Sequence, residues 1–259
     1  MVSKNCKFYA RSTAGKYTLD TTELRSSFLL SEDFPRQVKL WRDSRLVEIT
    51  GGNTPVPLID QAKLILHIVP YESLQSGYRF SGSNLAMYER YFCPVGRSIL
   101  ISRLNVDGLV TTCGNDRQKP QDGYCQIFRD GKIESVLAGI ISMHSKRGYS
   151  CLASTWYERV VIEGLSENLE GLRKLGISTP FFISMVVLGV KGAYLAVKNE
   201  WNRNMFPIDR DLLILPEVLI EDFDNLPLKL KPMFDAVWNA AGLPQSENYD
   251  AEGGWNPPS

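Results

Sequence analysis

Residues 31–70 decide the fold, and they run SEDFPRQVKLWRDSRLVEITGGNTPVPLIDQAKLILHIVP. Ser31 is a good N-cap, because its hydroxyl can accept a hydrogen bond from a backbone N–H of the first helical turn. The glycines at 51 and 52 end a helix at low cost, since glycine adopts the left-handed conformation without a steric penalty. A proline-rich bend follows, and the apolar run 62–69 predicts a strand. The stretch therefore predicts a long helix, a bend and a buried strand.

One face of the predicted helix is apolar. At 100° per residue Phe34, Val38, Trp41 and Ile49 fall on the same side, which predicts that they are buried together. Arg45 lies on that side as well. An isolated buried charge costs too much free energy, so its guanidinium is expected either to pair with a buried carboxylate or to point at a phosphate of a ligand. The structural pair is the favoured interpretation.

Downstream patterns with a period of two predict a sheet. Residues 124–137 are typical of a hairpin, because two β-rich arms flank an Asp-Gly pair suited to a tight turn. Residues 181–188 are apolar at almost every position, as in a strand covered on both faces, and are expected inside the sheet. Residues 211–220 predict another strand, and Pro216 within it favours a sheet edge.

Two more helices complete the expected fold. Thr155 and Glu158 have the spacing of a capping box at the start of the first, which ends at Gly176. The second starts near Pro232 and ends at Gly242. The expected fold class is therefore α+β, with a mixed, mainly antiparallel sheet, two long packed helices and a short C-terminal helix.

The composition is that of a globular protein. The chain has 259 residues, of which 44% are hydrophobic and 22% are charged. Its five cysteines show no C-x-x-C spacing, which argues against a disulfide framework or a zinc site and fits a reducing compartment. No apolar run is long enough to span a bilayer. A cytoplasmic protein that does not enter a membrane is expected.

Familiar catalytic motifs are missing from the sequence. It contains no G-x-x-x-x-G-K-[ST] phosphate loop, no G-x-G-x-x-G, no G-x-S-x-G and no H-E-x-x-H. His67 alternates with apolar residues and is expected to be a hydrogen-bonded core residue rather than a catalytic base. No cofactor, metal ligand or catalytic residue is assigned. An enzymatic activity is therefore disfavoured, but whether the protein is an enzyme stays open.

Charge is unevenly distributed along the chain. Residues 1–50 carry nine Lys and Arg against six Asp and Glu, whereas residues 209–259 carry three against ten. A basic N-terminal segment can bind nucleic acid. The favoured alternative is that the basic and acidic surfaces are simply solvated or pair with each other. Segment 71–96 is rich in aromatic residues and arginine, a composition that suits stacking on bases. The candidate nucleic-acid-binding residues are Arg36, Lys39, Arg42, Arg45, Arg79, His144, Lys146 and Arg147.

Several short segments carry a family resemblance: FYARS at 8–12 with GK at 15–16, ELRSSF at 23–28, GNTPVPL at 52–58, LILHIVP at 64–70, YCQIFRDGKIE at 124–134, YER at 157–159 and LGVKG at 188–192. Together they resemble bacterial proteins with a Schlafen-type AlbA-like DNA-binding domain, and mainly the region downstream of that domain. The family's carboxylate-bearing strand, E-x-x-x-L-E-F-K, and its N-T-x-G-G turn are absent here. No family active-site residue is therefore transferred to this chain.

The resemblance implies a domain organisation and a function. Residues 1–55 are expected to be a strand and helix segment like the end of an AlbA-like domain, 56–243 an α+β domain, and the polar residues 244–259 a flexible tail. The implied function is that of a non-catalytic module in nucleic-acid binding or antiviral defence, which docks onto nucleic acid or a partner. Two alternatives stay open: a protein-interaction or homo-oligomerisation module that binds no nucleic acid, and a nuclease with an unrecognised carboxylate site.

Overall fold

The computed structural model describes residues 9–12, 15–18, 33–74, 79–99, 101–114, 116, 119–143, 148–197 and 206–257. The chain divides into two compact units, Met1–Leu46 and Val47–Ser259. In the first unit β1 (Tyr9–Ser12) and β2 (Gly15–Thr18) form an antiparallel hairpin. Helix α1 (Asp33–Thr50) begins in this unit and ends in the second. The two compact units thus part within α1, whereas the sequence placed a boundary after it, at residue 55.

Helix α1 buries a stripe that is rotated slightly from the expected one. Phe34, Val38 and Ile49 are buried as predicted, and Arg42 is buried with them. Trp41, which was expected in the core, is only half-buried. Residues four apart lie on one helix face, so the buried stripe follows the row 34, 38 and 42 and leaves Trp41 at its margin.

The second unit is built around an eight-stranded sheet. Its strands are β3 (Lys63–Pro70), β4 (Ile101–Leu104), β5 (Gly108–Thr112), β6 (Gly123–Phe128), β7 (Ile133–Ala138), β10 (Phe181–Leu188), β12 (Leu212–Ile214) and β13 (Val218–Ile220). Their order is β12-β10-β3-β7-β6-β5-β4, and β13 pairs with the other end of β10. Every neighbouring pair in this sheet is antiparallel.

A smaller sheet holds the remaining strands of this unit. It contains β8 (Ser142–Met143), β9 (Ser150–Ala153) and β11 (Tyr194–Ala196) in the order β11-β9-β8. Strand β9 pairs antiparallel with β8 and parallel with β11. The α+β class with mainly antiparallel pairing is therefore confirmed.

The predicted hairpin and the predicted inner strand are both confirmed. Strands β6 and β7 pair around Gly131, whose φ of 89° is the left-handed conformation that the Asp-Gly pair predicts. Strand β10 has β3 on one side and both β12 and β13 on the other. Seven of its eight residues are buried, which explains why it lacks polar alternation.

A long helix and a shorter C-terminal helix, which starts at Leu226 and not near Pro232 as predicted, cover one face of the large sheet. Helices α3 (Ser154–Lys174) and α4 (Leu226–Ala240) join a single apolar core with the strands, and Leu165, Phe234 and Met185 are among its members. A short helix, α2 (Gly82–Met87), and two 3₁₀ turns lie between β3 and β4. Among the described residues, no helix has both the length and the apolar composition that crossing a membrane requires.

The start of α3 differs from the capping box that the sequence predicts. The helix follows Ala153, which makes no side-chain cap hydrogen bond. Glu158 is fully buried and turns toward residues 244–257 instead of the helix start.

Residues 244–257 were expected to belong to a flexible tail, but Ser246 and Asn248 in this segment are buried. The tail packs onto α3 because a buried carboxylate there requires hydrogen-bond donors.

Candidate functional site

Helix α1 carries four of the candidate nucleic-acid-binding residues, and the structure divides them into two kinds. Arg36 and Lys39 are exposed. Arg42 is buried, and its guanidinium pairs with Asp43 at 2.8 Å. Arg45 is half-buried and takes part in an interaction within the chain. Only Arg36 and Lys39 therefore present an exposed cation to a ligand along this helix.

The remaining candidates lie outside α1. Arg79 donates a 2.6 Å hydrogen bond to Glu72, so its charge is already matched by a carboxylate. His144, Lys146 and Arg147 lie outside the described residues. Their role in binding stays a prediction.

A polar row crosses the buried middle of the large sheet. His67 on β3 lies opposite Glu134 on β7, and His67 Nε2 is 3.1 Å from Glu134 Oε2. The hydroxyl of Tyr124 donates to the other carboxylate oxygen at 2.6 Å. All three side chains are fully buried. The prediction that His67 is a hydrogen-bonded core residue is confirmed.

A second buried carboxylate, that of Glu158, is bonded on both oxygens. Its Oε1 accepts hydrogen bonds from Trp238 Nε1 and Ser246 Oγ, both at 2.8 Å. Its Oε2 accepts from Asn248 Nδ2 and Trp255 Nε1, both at 2.9 Å. One acceptor on α3 therefore ties together α4 and residues 246–255. We call this group the Glu158 cluster: Glu158, Trp238, Ser246, Asn248 and Trp255.

The surroundings of the Glu158 cluster exclude water. Burial, followed by the charge of Glu158, holds the pKa of the adjacent Tyr157 well above its ordinary value. The Tyr157 hydroxyl lies 3.3 Å from Glu158 Oε1 and adds a fifth donor. A carboxylate whose oxygens already accept five hydrogen bonds is a poor general base, because a substrate proton would have to displace one of them. The arrangement is suited to holding the C-terminal segment in place.

Metal chemistry has no candidate site in the part of the chain that the structure describes. No group of three or more His, Cys, Asp or Glu side chains converges there in a way that could hold a metal ion. The second unit carries several surface grooves. One of them, with a volume of about 360 Å³, runs between edge strand β12 and helix α4.

Comparison with protein-family models, with curated proteins and with solved structures finds no match to this chain. The resemblance to Schlafen-type AlbA-like proteins therefore rests on the short sequence segments alone. It remains a prediction about the family.

Sequence reasoning missed the Glu158 cluster because its members are far apart in the chain. Glu158 and Trp255 are separated by 97 positions. The local context of Glu158 matches a capping box, and that of Trp255 is rich in glycine and proline, which is typical of a mobile tail. One signal was present: the tail contains Trp255 together with Ser246 and Asn248, whose side chains are donors that favour a buried acceptor elsewhere.

Proposed function

We propose that this chain is a non-catalytic docking module of a Schlafen/AlbA-like protein and that it binds nucleic acid through α1. Arg36 and Lys39 carry this proposal. Both are exposed, and neither has an acidic partner among the described residues. Arg42 and Arg79, in contrast, are already ion-paired. An unpaired cation can neutralise a phosphate without first giving up a carboxylate partner.

The spacing of the two cations supports a shared contact surface. Arg36 and Lys39 are three residues apart on a helix, which brings their Cβ atoms within about 5–6 Å of each other. Contacts of this kind read the backbone and not the bases, so binding is expected to depend strongly on salt and little on sequence.

The sequence resemblance supplies the biological setting of the proposal. It implies that the chain works with an AlbA-like DNA-binding domain and has a role in antiviral defence. A cationic helix face in the N-terminal unit would then extend the nucleic-acid contact of that neighbouring domain. DNA and RNA present the same phosphate chemistry to Arg36 and Lys39, and experiment distinguishes between them.

Charge reversal tests the proposal. The affinity of the protein for a labelled DNA duplex and for a single-stranded RNA is measured by fluorescence anisotropy between about 50 and 200 mM salt. The double variant Arg36→Glu/Lys39→Glu is expected to bind at least tenfold more weakly, with a salt slope lower by about two, because each lost phosphate contact removes about one released counterion.

A matched control separates this site from a general charge effect. Arg159 and Lys191 are exposed cations of the second unit, so Arg159→Glu/Lys191→Glu changes the net charge by the same amount. The control is expected to bind within twofold of the unmodified protein. Equal weakening by both variants, or the absence of binding to either nucleic acid at low salt, would overturn the proposal.

A further inference from the structure

A pocket of about 220 Å³ lies on the large sheet where strands β4 and β5 pair. Ile101 and Arg103 of β4 lie directly opposite Thr112 and Val110 of β5, so these four side chains share one face of the sheet. Leu109, which points to the other face, belongs to the core that α3 and α4 cover. The pocket therefore lies on the sheet face opposite these two helices.

Residues 55–57, in the loop after helix α1, form another wall of the pocket. Backbone hydrogen bonds fix this loop, because Gln121 N donates to the Pro57 carbonyl at 2.7 Å and Ile59 N donates to the Gln121 carbonyl at 3.1 Å. Within the loop, the Thr54 hydroxyl donates to the Val56 carbonyl at 2.7 Å. The walls are therefore held in place before a ligand binds, which lowers the ordering cost of binding.

The lining of the pocket combines an apolar surface with a single cation. Its apolar members are Pro55, Val56, Pro57, Ile101 and Val110. The guanidinium of Arg103 donates from Nη2 to the carbonyl oxygen of Pro55 at 2.5 Å, which ties this side chain to the pocket wall. No carboxylate lines the pocket in the part of the chain that the structure describes, so the positive charge of Arg103 has no ionic partner there.

The charge and the size of the pocket select the ligand. A guanidinium has five N–H donors and binds a carboxylate through two of them at once, and the bond to Pro55 occupies only Nη2. An apolar cavity of about 150 Å³ is large enough for benzene, so the pocket has room for a six-membered ring with a carboxylate attached. Inorganic phosphate, in contrast, would gain nothing from the apolar walls.

We propose that this pocket binds a small carboxylic acid whose apolar body is about the size of a benzene ring. The apolar lining covers the body of the ligand, and Arg103 binds its carboxylate. Among the described residues, no histidine, cysteine or acidic side chain lines the pocket, so the lining offers no general base and the ligand is bound without being converted. This inference does not depend on nucleic-acid binding by α1.

A ligand-detected NMR titration of the full chain with benzoate tests the proposal. Saturable binding with a Kd of about 1 mM or tighter is expected for a ligand of this size. Benzyl alcohol keeps the ring but lacks the charge, and acetate keeps the charge but lacks the ring. Both are expected to bind at least tenfold more weakly than benzoate, because each loses one of the two contacts.

Two variants test the named residues. Arg103→Gln removes the charge but keeps an amide N–H for the Pro55 carbonyl, and Ile101→Trp fills the pocket without changing its charge. Each is expected to weaken benzoate binding at least tenfold. Arg159→Gln is the matched control, because Arg159 is exposed on α3 and does not line the pocket, and it is expected to stay within twofold.

The proposal would be overturned by any of four results: no benzoate binding at about 20 mM, equal affinity for benzoate and benzyl alcohol, equal affinity for benzoate and inorganic phosphate, or unchanged binding by a folded Arg103→Gln variant. The first three use the unmodified protein. They therefore decide the matter even if a variant proves unfolded by its urea midpoint.

Discussion

Replacing Glu158 should have the largest effect on stability of any single carboxylate substitution in α3. Glu158→Gln preserves the shape of the side chain but replaces one acceptor oxygen with an amide NH₂ group. This group is a hydrogen-bond donor, and it would face other donors. If the amide nitrogen takes the Oε2 position, the bonds from Asn248 and Trp255 at 2.9 Å are both lost. Hydrogen bonds to a charged group contribute about 1.5–3 kcal/mol each, and Trp255 is only half-buried. We expect a loss of about 2–4 kcal/mol in the free energy of unfolding.

Urea unfolding followed by tryptophan fluorescence measures this loss, since Trp238 and Trp255 both belong to the Glu158 cluster. Limited proteolysis reports separately on residues 244–257, which should be cleaved faster in the variant. Glu163→Gln is the matched control, because Glu163 lies on the same helix but is exposed. A Glu158→Gln variant within about 0.5 kcal/mol of the unmodified protein would refute the reasoning, because surface substitutions have effects of that size.

Three further predictions follow from the second unit and from the sequence. Burial raises the pKa of the Cys93 thiol to about 12, and the negative charge of nearby Glu167 adds to this shift. The rate at which iodoacetamide alkylates Cys93 should therefore keep rising with pH above 9, because only the thiolate reacts. A plateau in this rate below pH 10 would contradict the prediction. Gly108→Ala should cost more than about 2 kcal/mol in urea unfolding, because φ is 153° and the new Cβ would lie 2.1 Å from the carbonyl oxygen of Ile127; Gly192→Ala, with open space around it, should cost about 1–2 kcal/mol. Purified protein with Mg²⁺ or Mn²⁺ should leave RNA and DNA intact in a gel assay, and cleavage abolished by changing one carboxylate pair would contradict a non-catalytic role.

Elements with a strong local pattern could be predicted from the sequence. Residues 181–188 form β10 as predicted, because a strand buried on both faces needs apolar side chains at nearly every position. The β6–β7 hairpin follows from the Asp-Gly pair at its turn. Pro216 predicts the edge position of segment 211–220, although this segment forms two short strands, β12 and β13, on either side of the proline and not the single strand expected. In each case the determining interaction lies within a few residues of the pattern itself.

Features that depend on distant partners could not be predicted. Arg42 is buried although the sequence suggests an exposed cation, because helical periodicity gives the width of a buried stripe more reliably than its centre. The tail has the composition of a mobile segment, yet Glu158 supplies an acceptor for Ser246 and Asn248 that no local pattern reveals. Among the described candidate residues, exposure and pairing separate Arg36 and Lys39 from Arg42, Arg45 and Arg79, and both properties belong to the folded chain.

Hydrogen-exchange mass spectrometry of the full chain, with and without a nucleic-acid ligand at low salt, tests the docking function most directly. It locates the contact without assuming which residues form it. We expect added protection in peptides that cover 33–46 and no change in peptides that cover β12 and α4. Protection confined to residues outside 33–46, or none at saturating ligand, would contradict nucleic-acid docking through Arg36 and Lys39.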